Sequence, residues 1–193
     1  MISAIILAAG QSRRMGQPKM LLPWGNRTVI EHVVVTFLTA GVEAILVVTG
    51  AEHHRVKMAV DRYPVLTVHN KDHAAGEMLS SIQCGLRAMP AEVQAALIGL
   101  GDQPQVQEKT IRSIHDAYRD GAARLVVPSF QLKRGHPWLV ARPLWDEILT
   151  LEPPETPRDF LNRFGLEILY VNMNTPTILA DLDTPEDYMR SRP

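Results

Sequence analysis

Apolar runs of strand length recur along this chain and alternate with stretches whose apolar residues follow the spacing of a helix. The runs lie at residues 4–8, 44–49, 65–68, 95–100 and 125–127. Two of the stretches between them show a helical stripe, formed by Val29, Val33, Phe37 and Leu38 in one and by Ile111, Ile114 and Tyr118 in the other. Because parallel strands need a crossover connection, this alternation predicts an α/β fold with a mostly parallel sheet covered by helices on both faces.

The second half of the chain is less regular. Residues 135–140 are predicted to form an edge strand or an antiparallel strand, and helices are predicted near residues 143–149 and 157–164. The connection at residues 149–157 holds three prolines and two glutamates, a composition typical of an exposed loop. Since no repeat or interdomain linker interrupts the pattern, we predict a single domain over residues 1–193.

Charge and cysteine content narrow the classes of function. The net charge is −1 with acids and bases interspersed, so neither nucleic acid nor a membrane surface is a predicted partner. The longest apolar runs are far shorter than the ~18 residues of a membrane span. Cys84 has no second cysteine with which to form a disulfide, and the first residues lack the basic start of a signal peptide. We therefore expect a cytoplasmic protein.

A basic loop at residues 7–19 follows the first predicted strand and carries two glycines, three cations and no acid. It does not match the phosphate-binding P-loop, because five residues separate Gly10 from Gly16 and Met20 stands where a hydroxyl would bind magnesium. Its glycines still allow backbone N–H groups to approach an anion. The cations are Arg13, Arg14 and Lys19. A solvated turn explains any one of them, but their combination favours a triphosphate site.

Acidic residues follow another predicted strand and precede the last predicted helix. Asp102 comes directly after the fourth apolar run, whose carboxyl end lies at the same edge of the sheet as the basic loop. Asp181 and Asp183 alternate along an extended segment and so face the same way. Helix capping explains Thr184, and capping or turn formation is the alternative role for Asp102. Two carboxylates from separate loops, together with phosphates, commonly bind Mg²⁺.

This metal hypothesis makes a forecast about stability. Without metal, the carboxylates of Asp102 and Asp183 should repel each other. An asparagine at either position should then leave the metal-free protein as stable as before or slightly more stable.

Five segments of the sequence together carry a family resemblance. They are Leu7-Ala8-Ala9-Gly10 with Arg14-Met15-Gly16, Lys19 and Leu21-Leu22-Pro23; Gly76 with Ser80-Ser81 and Gly85; Gly101-Asp102-Gln103-Pro104; Arg134-Gly135-His136-Pro137; and Asp181-Leu182-Asp183-Thr184-Pro185. The chain resembles the MobA-like nucleotidyltransferases, and within them it is most similar to the molybdenum cofactor cytidylyltransferases. The resemblance implies a Rossmann-like three-layer nucleotidyltransferase fold.

The resemblance also implies a reaction. CMP would be transferred from CTP to the terminal phosphate of molybdopterin with Mg²⁺ as cofactor, and pyrophosphate would be released. Ala9 favours CTP, since guanylyl-transferring relatives tend to carry glycine at that position. The alternatives are GTP, another acceptor such as a sugar or isoprenoid phosphate, or a non-catalytic nucleotide- or cofactor-binding protein. A molybdoenzyme or its chaperone is an implied partner.

Site roles follow from the resemblance by position. The implied nucleotide-binding residues are Leu7, Ala8, Ala9, Gly10, Arg14, Lys19, Asn70, Ser80, Ser81 and Asp102. Among them Arg14, Lys19 and Asp102 are the implied catalytic residues, and Asp102 would bind magnesium together with Asp183. His136 and Trp138 would lie on the acceptor side, with core packing as the alternative role for each.

Two further segments do not fit a metal site or the family pattern. His53 and His54 are neighbours on a predicted helix and point apart, so we interpret them as surface residues and not as a metal pair. Residues 157–161 occupy a region where a glycine-rich or basic element near the acceptor is expected, and here they include Asp159. That acid departs from the family pattern.

Overall fold

The computed structural model describes residues 1–75, 77–121 and 123–193. Its strands are β1 (Ile2–Ala8), β2 (Pro23–Trp24), β3 (Arg27–Thr28), β4 (Ala44–Thr49), β5 (Leu66–His69), β6 (Ala95–Leu100), β7 (Leu125–Phe130), β8 (Lys133–Arg134), β9 (Trp138–Ala141) and β10 (Ile168–Asn172). One sheet has the order β10-β7-β9-β6-β1-β4-β5 with β8 paired to β7, and β2 and β3 form a separate hairpin. Four of the five predicted apolar runs lie within strands of the large sheet, and the fifth, residues 65–68, begins one residue before β5.

Strand direction places the loops that could bind a ligand. β1 pairs in parallel with β4 and β6, and β4 pairs in parallel with β5. β9 is antiparallel to β6 and to β7, so β7 runs in the same direction as β6, and β10 is parallel to β7. The carboxyl ends of β1, β4, β5, β6, β7 and β10 therefore share one edge, where open α/β sheets bind their ligands.

Helices cover both faces of the sheet. They are α1 (Val29–Thr39), α2 (His53–Val60), α3 (Glu77–Ala88), α4 (Glu108–Asp120), α5 (Trp145–Leu149), α6 (Pro157–Arg163) and α7 (Pro185–Ser191). One apolar core takes residues from α1, α2 and α4, and the other takes residues from α3, α5 and α6. This three-layer arrangement confirms the prediction of a single-domain α/β fold with a mostly parallel sheet.

The first strand shows why the sequence supports two cores. Side chains alternate between the faces of a strand, so Ile5 and Leu7 enter one core while Ala4, Ile6 and Ala8 enter the other. All five are buried, as expected of a strand covered by helices on both sides. A methyl group on Gly85 of α3 would lie 2.6 Å from Ile5 Cγ2, so a glycine lets this helix approach the sheet closely.

The strand predicted within residues 135–140 is central and does not lie at an edge. β9 spans Trp138–Ala141 and is inserted between β6 and β7, antiparallel to both. All four of its residues are buried. The antiparallel alternative is therefore right and the edge alternative is wrong. β9 is apolar and buried throughout, and it forms hydrogen bonds with a neighbouring strand on each side.

A smaller apolar cluster lies beneath the basic loop. Met15 from the loop packs with Trp24 of β2, Val29 of α1 and Leu182, and Tyr188 of α7 contacts the cluster. The phenol of Tyr188 donates a hydrogen bond of 2.6 Å to the Pro23 carbonyl oxygen. The last helix is thereby fixed to the first loop, and Trp24 is a packing residue.

Among the described residues, no helix is both long enough and apolar enough to cross a bilayer.

Candidate active site

The basic loop turns back on itself at Ser12, whose φ of 52° is uncommon for a residue other than glycine. The backbone N–H groups of Met15 and Gly16 both donate to the Ser12 carbonyl oxygen at 3.1 Å. The Ser12 hydroxyl oxygen accepts a hydrogen bond from the Lys19 backbone N–H at 3.1 Å. With Met15 buried in the cluster below, these contacts fix the point from which the Lys19 side chain extends.

The side chains at the start of the basic loop are mostly buried. Leu7, Ala8 and Ala9 are buried, while Gly10 is exposed. A nucleotide could therefore meet these residues mainly through their backbone. A methyl group on Gly50, which follows β4, would lie 2.3 Å from the Ala9 carbonyl oxygen, so the two loops pack directly against each other.

The loops after β1 and β6 meet a segment from the end of the chain. The Gly101 N–H donates to the Leu7 carbonyl oxygen at 2.9 Å, and the Leu182 N–H donates to the Asp102 carbonyl oxygen at 3.0 Å. A methyl group on Gly101 would lie only 3.0 Å from the Leu7 carbonyl oxygen. The absence of a side chain at Gly101 thus allows the loops to converge at the carboxyl edge of the sheet.

Four residues with implied catalytic or metal-binding roles meet at this point. Lys19 Nζ forms an ion pair with Asp102 Oδ2 and a second with Asp183 Oδ1 at 3.3 Å. Arg14 Nη2 donates to the other Asp183 oxygen, Oδ2, at 2.9 Å. The Lys19 side chain is 11% exposed and that of Arg14 is 71% exposed. Lys19 is therefore the inner cation of the group and Arg14 the outer one.

The charges of this group shift the pKa of Lys19. Burial by itself would lower the pKa of the ammonium group. The charges of Asp102 and Asp183, and the hydrogen bonds to both, outweigh burial and raise that pKa. Lys19 is therefore a permanent cation at physiological pH.

Sequence reasoning considered Asp181 but did not place it in the site, and it gave Gln103 no role. Gln103 Nε2 donates to Asp181 Oδ1 at 2.6 Å. Partial burial raises the pKa of the Asp181 carboxyl, the nearby Asp102 adds to the rise, and the Gln103 hydrogen bond opposes it. Asp181 thus belongs to the acid cluster, and the position of Gln103 next to Asp102 in the sequence was the available signal.

The donor set of this cluster fits a divalent cation of the magnesium type. Across residues 1–75, 77–121 and 123–193, no three His, Cys, Asp or Glu side chains are arranged as a metal site. Mg²⁺, however, is commonly held by one or two carboxylates plus phosphates and water. Asp102 and Asp183, which contact the same ammonium nitrogen, meet that requirement in the presence of a triphosphate.

The implied base-side residues form one hydrogen-bonded group. The Asn70 amide Nδ2 donates to Ser80 Oγ at 2.9 Å and to Ser81 Oγ at 3.1 Å. Its Oδ1 accepts from the Asp72 N–H at 3.0 Å. Both ends of the Asn70 amide are engaged within the protein, so this side chain orients the two serines. Gly76, which belongs to the same motif, lies outside the described residues.

A cavity of about 1380 Å³ lies on the implied acceptor side. His136 and Leu179 are among its lining residues, and the His136 N–H donates to the Ile178 carbonyl oxygen at 3.1 Å. Its basic and aromatic lining residues include Lys133, Arg134, Arg158 and Tyr170. Such a lining suits an anion that carries a flat ring.

Arg134 is the best-fixed cation of this cavity. Its Nε donates to the Tyr170 phenol oxygen at 2.9 Å, and its Nη1 donates to Asn162 Oδ1 at 2.7 Å. Held in this way, the guanidinium loses little further freedom when it binds an anion.

The two implied acceptor-side residues differ in accessibility. Both residues line the cavity. Burial lowers the pKa of His136 to about 4, so its imidazole is neutral at physiological pH. Trp138 is 1% exposed and packs in the core with Phe160 at a ring separation of 6.2 Å. Its indole therefore has no open face on which a pterin could stack, which agrees with the packing alternative. An acceptor-side role for either residue remains a prediction.

The acid that departs from the family pattern has a local explanation. Asp159 is the third residue of α6, and its Oδ2 accepts from both the backbone N–H (2.8 Å) and the hydroxyl (2.6 Å) of Thr156. These bonds form a capping box, so the carboxylate is used within its own helix. Its neighbour Arg158 supplies the expected basic group to the cavity wall.

The two adjacent histidines lie apart from the acid cluster. His54 is exposed, but His53 is partly buried, and its Nδ1 lies 2.7 Å from the Thr49 hydroxyl oxygen. The interpretation as surface residues thus fits His54 better than His53.

Comparison with known proteins identifies the family. The model of the MobA-like NTP transferase domain matches residues 4–168. The chain belongs to this family. The resemblance carried by the sequence motifs is confirmed, and the chain is a nucleotidyltransferase.

Relatives of this nucleotidyltransferase match it over nearly their whole length. The molybdenum cofactor cytidylyltransferase of Escherichia coli is 30% identical over 99% of this chain and 95% of its own. The nicotine blue oxidoreductase of Paenarthrobacter nicotinovorans is 29% identical over 98% of this chain and 95% of its own.

Among solved structures, Rv0371c of Mycobacterium tuberculosis superposes with a TM-score of 0.82 at 28% identity, over 98% of this chain and 96% of that one. A complex of Rv0371c with manganese superposes with a TM-score of 0.74 at 26% identity, over the same shares of the two chains. The three-layer fold is thus that of experimentally determined relatives.

Proposed function

We propose that this nucleotidyltransferase transfers CMP from CTP to the terminal phosphate of molybdopterin in the cytoplasm and releases pyrophosphate. The observation that carries the proposal is the meeting of Lys19 with Asp102 and Asp183, with Arg14 beside them, at the end of the basic loop. We assign the whole chain, residues 1–193, to one domain. Asp183 lies beyond the segment that the family model matches, yet it completes this group.

Positive side chains fit the charge changes of the reaction. An oxygen of the acceptor phosphate attacks the α-phosphorus of CTP, and the bond between that phosphorus and the pyrophosphate oxygen breaks. Negative charge grows on the departing pyrophosphate, where Lys19 and Arg14 would stabilise it. The acceptor phosphate is already ionised near neutral pH, so no general base is required.

Asp102 and Asp183 would hold a divalent cation, which we propose to be Mg²⁺. When bound, such an ion neutralises phosphate charge and polarises the phosphorus that is attacked. The manganese complex of Rv0371c supports a divalent cation in this fold.

The choice of substrates rests on three supports. The E. coli relative is a cytidylyltransferase for the molybdenum cofactor and matches nearly the whole chain. Ala9 stands where guanylyl-transferring relatives tend to have glycine. The cavity with Arg134, Arg158 and Tyr170 suits an acceptor that combines a phosphate with a flat ring system. A molybdoenzyme or its chaperone, which would receive the product, is the proposed protein partner.

A thermal-shift panel with CTP, GTP, ATP and UTP in the presence of magnesium tests the nucleotide. At ~100 times its dissociation constant, a ligand adds about 2.7 kcal/mol to the free energy of unfolding. We expect CTP to give the largest shift, and pyrophosphate release to require both CTP and molybdopterin. A larger shift with GTP would contradict the nucleotide assignment, and turnover only with a sugar or isoprenoid phosphate would contradict the acceptor.

Lys19→Ala tests the proposed catalytic role of Lys19 in the same pyrophosphate-release assay. Because charge on pyrophosphate grows in the transition state, kcat should fall ~10²-fold or more while nucleotide affinity changes less. A variant with normal kcat and a raised KM would show that Lys19 binds ground state and transition state equally. Nucleotide binding without pyrophosphate release in the wild type would favour the non-catalytic alternative.

A further inference from the structure

We infer that Gln103 is a positioning residue that fixes Asp183 beside Asp102, acting through Asp181. The inference rests on the proposed function, because it concerns the two carboxylates that would hold the divalent cation. Gln103 follows Asp102 directly in sequence, and Asp181 and Asp183 come from the far end of the chain. The Gln103 side chain therefore connects the two loops that must supply one metal site.

Both side-chain hydrogen bonds of Gln103 lead to the returning segment. Its Nε2 donates to Asp181 Oδ1 at 2.6 Å and lies 3.4 Å from the Ile178 carbonyl oxygen, which it also reaches as a donor. One residue beyond Asp181, the Leu182 N–H donates to the Asp102 carbonyl oxygen at 3.0 Å. A side-chain bond and a backbone bond thus attach two adjacent residues of the returning segment, Asp181 and Leu182, to the Asp102 loop.

These two bonds hold the acids of the returning segment at a defined distance from Asp102. Asp183 follows this attached segment, and its two oxygens are then held by Lys19 at 3.3 Å and Arg14 at 2.9 Å. Loss of the Gln103 bond would leave Asp181 free to move away from Asp102, because the two carboxylates repel each other. The returning segment, with Asp183, would follow.

Gln103 is also a poor choice for a residue that only packs. The residue is 3% exposed, and its Oε1 has no hydrogen-bond partner in the described part of the chain. A buried polar atom without a partner lowers stability, so an apolar side chain of similar length would pack there at no such cost. The amide nitrogen, in contrast, donates to Asp181, which points to the donor group as the feature that matters.

Gln103→Met tests the inference, since methionine has a similar length and cannot donate the hydrogen bond. The metal probe is Mn²⁺ alone, measured by calorimetry on the full chain. Residues that orient metal ligands change metal affinity by ~10–100-fold when replaced, and we expect the dissociation constant of Mn²⁺ to rise by at least ~10-fold. The melting temperature should stay the same or rise.

A second readout does not depend on the metal. Hydrogen exchange at the Leu182 amide reports whether the returning segment remains attached to Asp102, and we expect faster exchange in Gln103→Met. Asp181→Ala, which removes the acceptor of the Gln103 bond, should speed exchange at the same amide. In the Asp181→Ala background, Gln103→Met should alter Mn²⁺ affinity by less than about twofold, because Gln103 acts through Asp181.

Gln83→Met is the matched control. Gln83 Nε2 donates to the carbonyl oxygens of Ile148 and Leu151, each at 3.0 Å, and so connects α3 with the end of α5. This variant should leave both Mn²⁺ affinity and Leu182 exchange unchanged.

Two results would overturn the inference. They are unchanged Leu182 exchange in both Gln103→Met and Asp181→Ala, and a loss of melting temperature in Gln103→Met with normal Mn²⁺ affinity. A wild-type protein that fails to bind Mn²⁺ would count against the proposed metal site, and Leu182 exchange would still decide the role of Gln103.

Discussion

Lys19 changes the effect that Asp102 and Asp183 are expected to have on the stability of the metal-free protein. Sequence reasoning treated Asp102 and Asp183 as a repelling pair, for which asparagine would be neutral or stabilising. The ammonium group of Lys19 contacts both carboxylates and offsets their repulsion. The expected sign of the stability change is therefore reversed, because removal of either acid leaves a largely buried cation with fewer partners.

Asp102→Asn should lower the free energy of unfolding of the metal-free protein by about 1–3 kcal/mol, the cost of leaving a buried charged group poorly paired. Urea unfolding in the presence of a chelator measures it. Asp116→Asn is the control, since the Asp116 side chain is 67% exposed and its change should stay within about 0.5 kcal/mol. Equal or greater stability of Asp102→Asn would restore the simple repulsion argument.

His136 makes stability depend on pH. Its folded-state pKa of about 4 lies below the ordinary 6.5, so between these values only the unfolded chain binds the proton. Acidification through this window therefore favours unfolding, and the stabilising effect is complete above pH 6.5. From about pH 7.5 to about pH 5, wild type should lose about 2 kcal/mol more stability than His136→Gln. Parallel losses in urea titrations would show that the folded imidazole titrates normally.

The residues of the candidate site differ in how far the sequence could predict them. The cations and acids that meet were all visible as motif residues, because the segments that carry the family resemblance contain them. Gln103 was missed because an amide next to an aspartate carries no distinctive chemistry until its partner, Asp181, is brought to it by the fold. For Trp138 an acceptor-side role and core packing both stayed open, since sequence does not tell which face of a strand helices will cover.

Helix starts determine how the acids of the last segment are presented. Thr184 precedes α7, and its hydroxyl oxygen accepts from the Asp187 N–H at 3.2 Å while Asp187 Oδ2 accepts from the Thr184 N–H at 3.1 Å. The Thr184 hydroxyl also donates to Asp187 Oδ2 at 2.9 Å, and this bond, together with the one from the Thr184 N–H, lowers the pKa of the Asp187 carboxyl. Capping was predicted for Thr184 from its sequence context, and the structure confirms it. The cap begins one residue after Asp183, so it also limits where that carboxylate can lie.

Thr184→Ala should lower stability by about 1 kcal/mol, the usual cost of losing a helix cap. Thr156→Ala provides a comparison, because Thr156 caps α6 with the same arrangement and a proline also follows it. Both variants should lose similar stability in urea, but only Thr184→Ala should weaken binding of CTP with magnesium. Equal CTP affinity in the two variants would show that the α7 cap does not position Asp183.

Strands were easier to predict than their order in the sheet. Runs such as residues 95–100 are apolar throughout, and this property alone indicates a strand covered on both faces. The place of β9 between β6 and β7 depends on pairing between segments far apart in sequence, which local patterns do not encode. Sequence could therefore predict the existence of β9, with an antiparallel direction as one of two alternatives, but not its central position.

At the scale of the whole molecule, the site is assembled from both ends of the chain. The basic loop comes early, Asp102 lies near the middle, and Asp183 lies in the last segment. The resemblance could name these positions because its motifs span the chain. It could not supply their mutual distances, which depend on the sheet order and on the attachment of α7 to the first loop through Tyr188.

The insertion of β9 also determines when the molecule can be completed during synthesis. Until residues 138–141 leave the ribosome, β6 offers an unpaired row of backbone N–H and C=O groups, and β7 has nothing through which to join it. The strands β1, β4, β5 and β6 can pair with one another before that moment, whereas β7 and β10 can only dock afterwards. A nascent chain arrested short of β9 therefore presents an open, apolar sheet edge, the kind of surface that chaperones cover and that other unfinished chains bind.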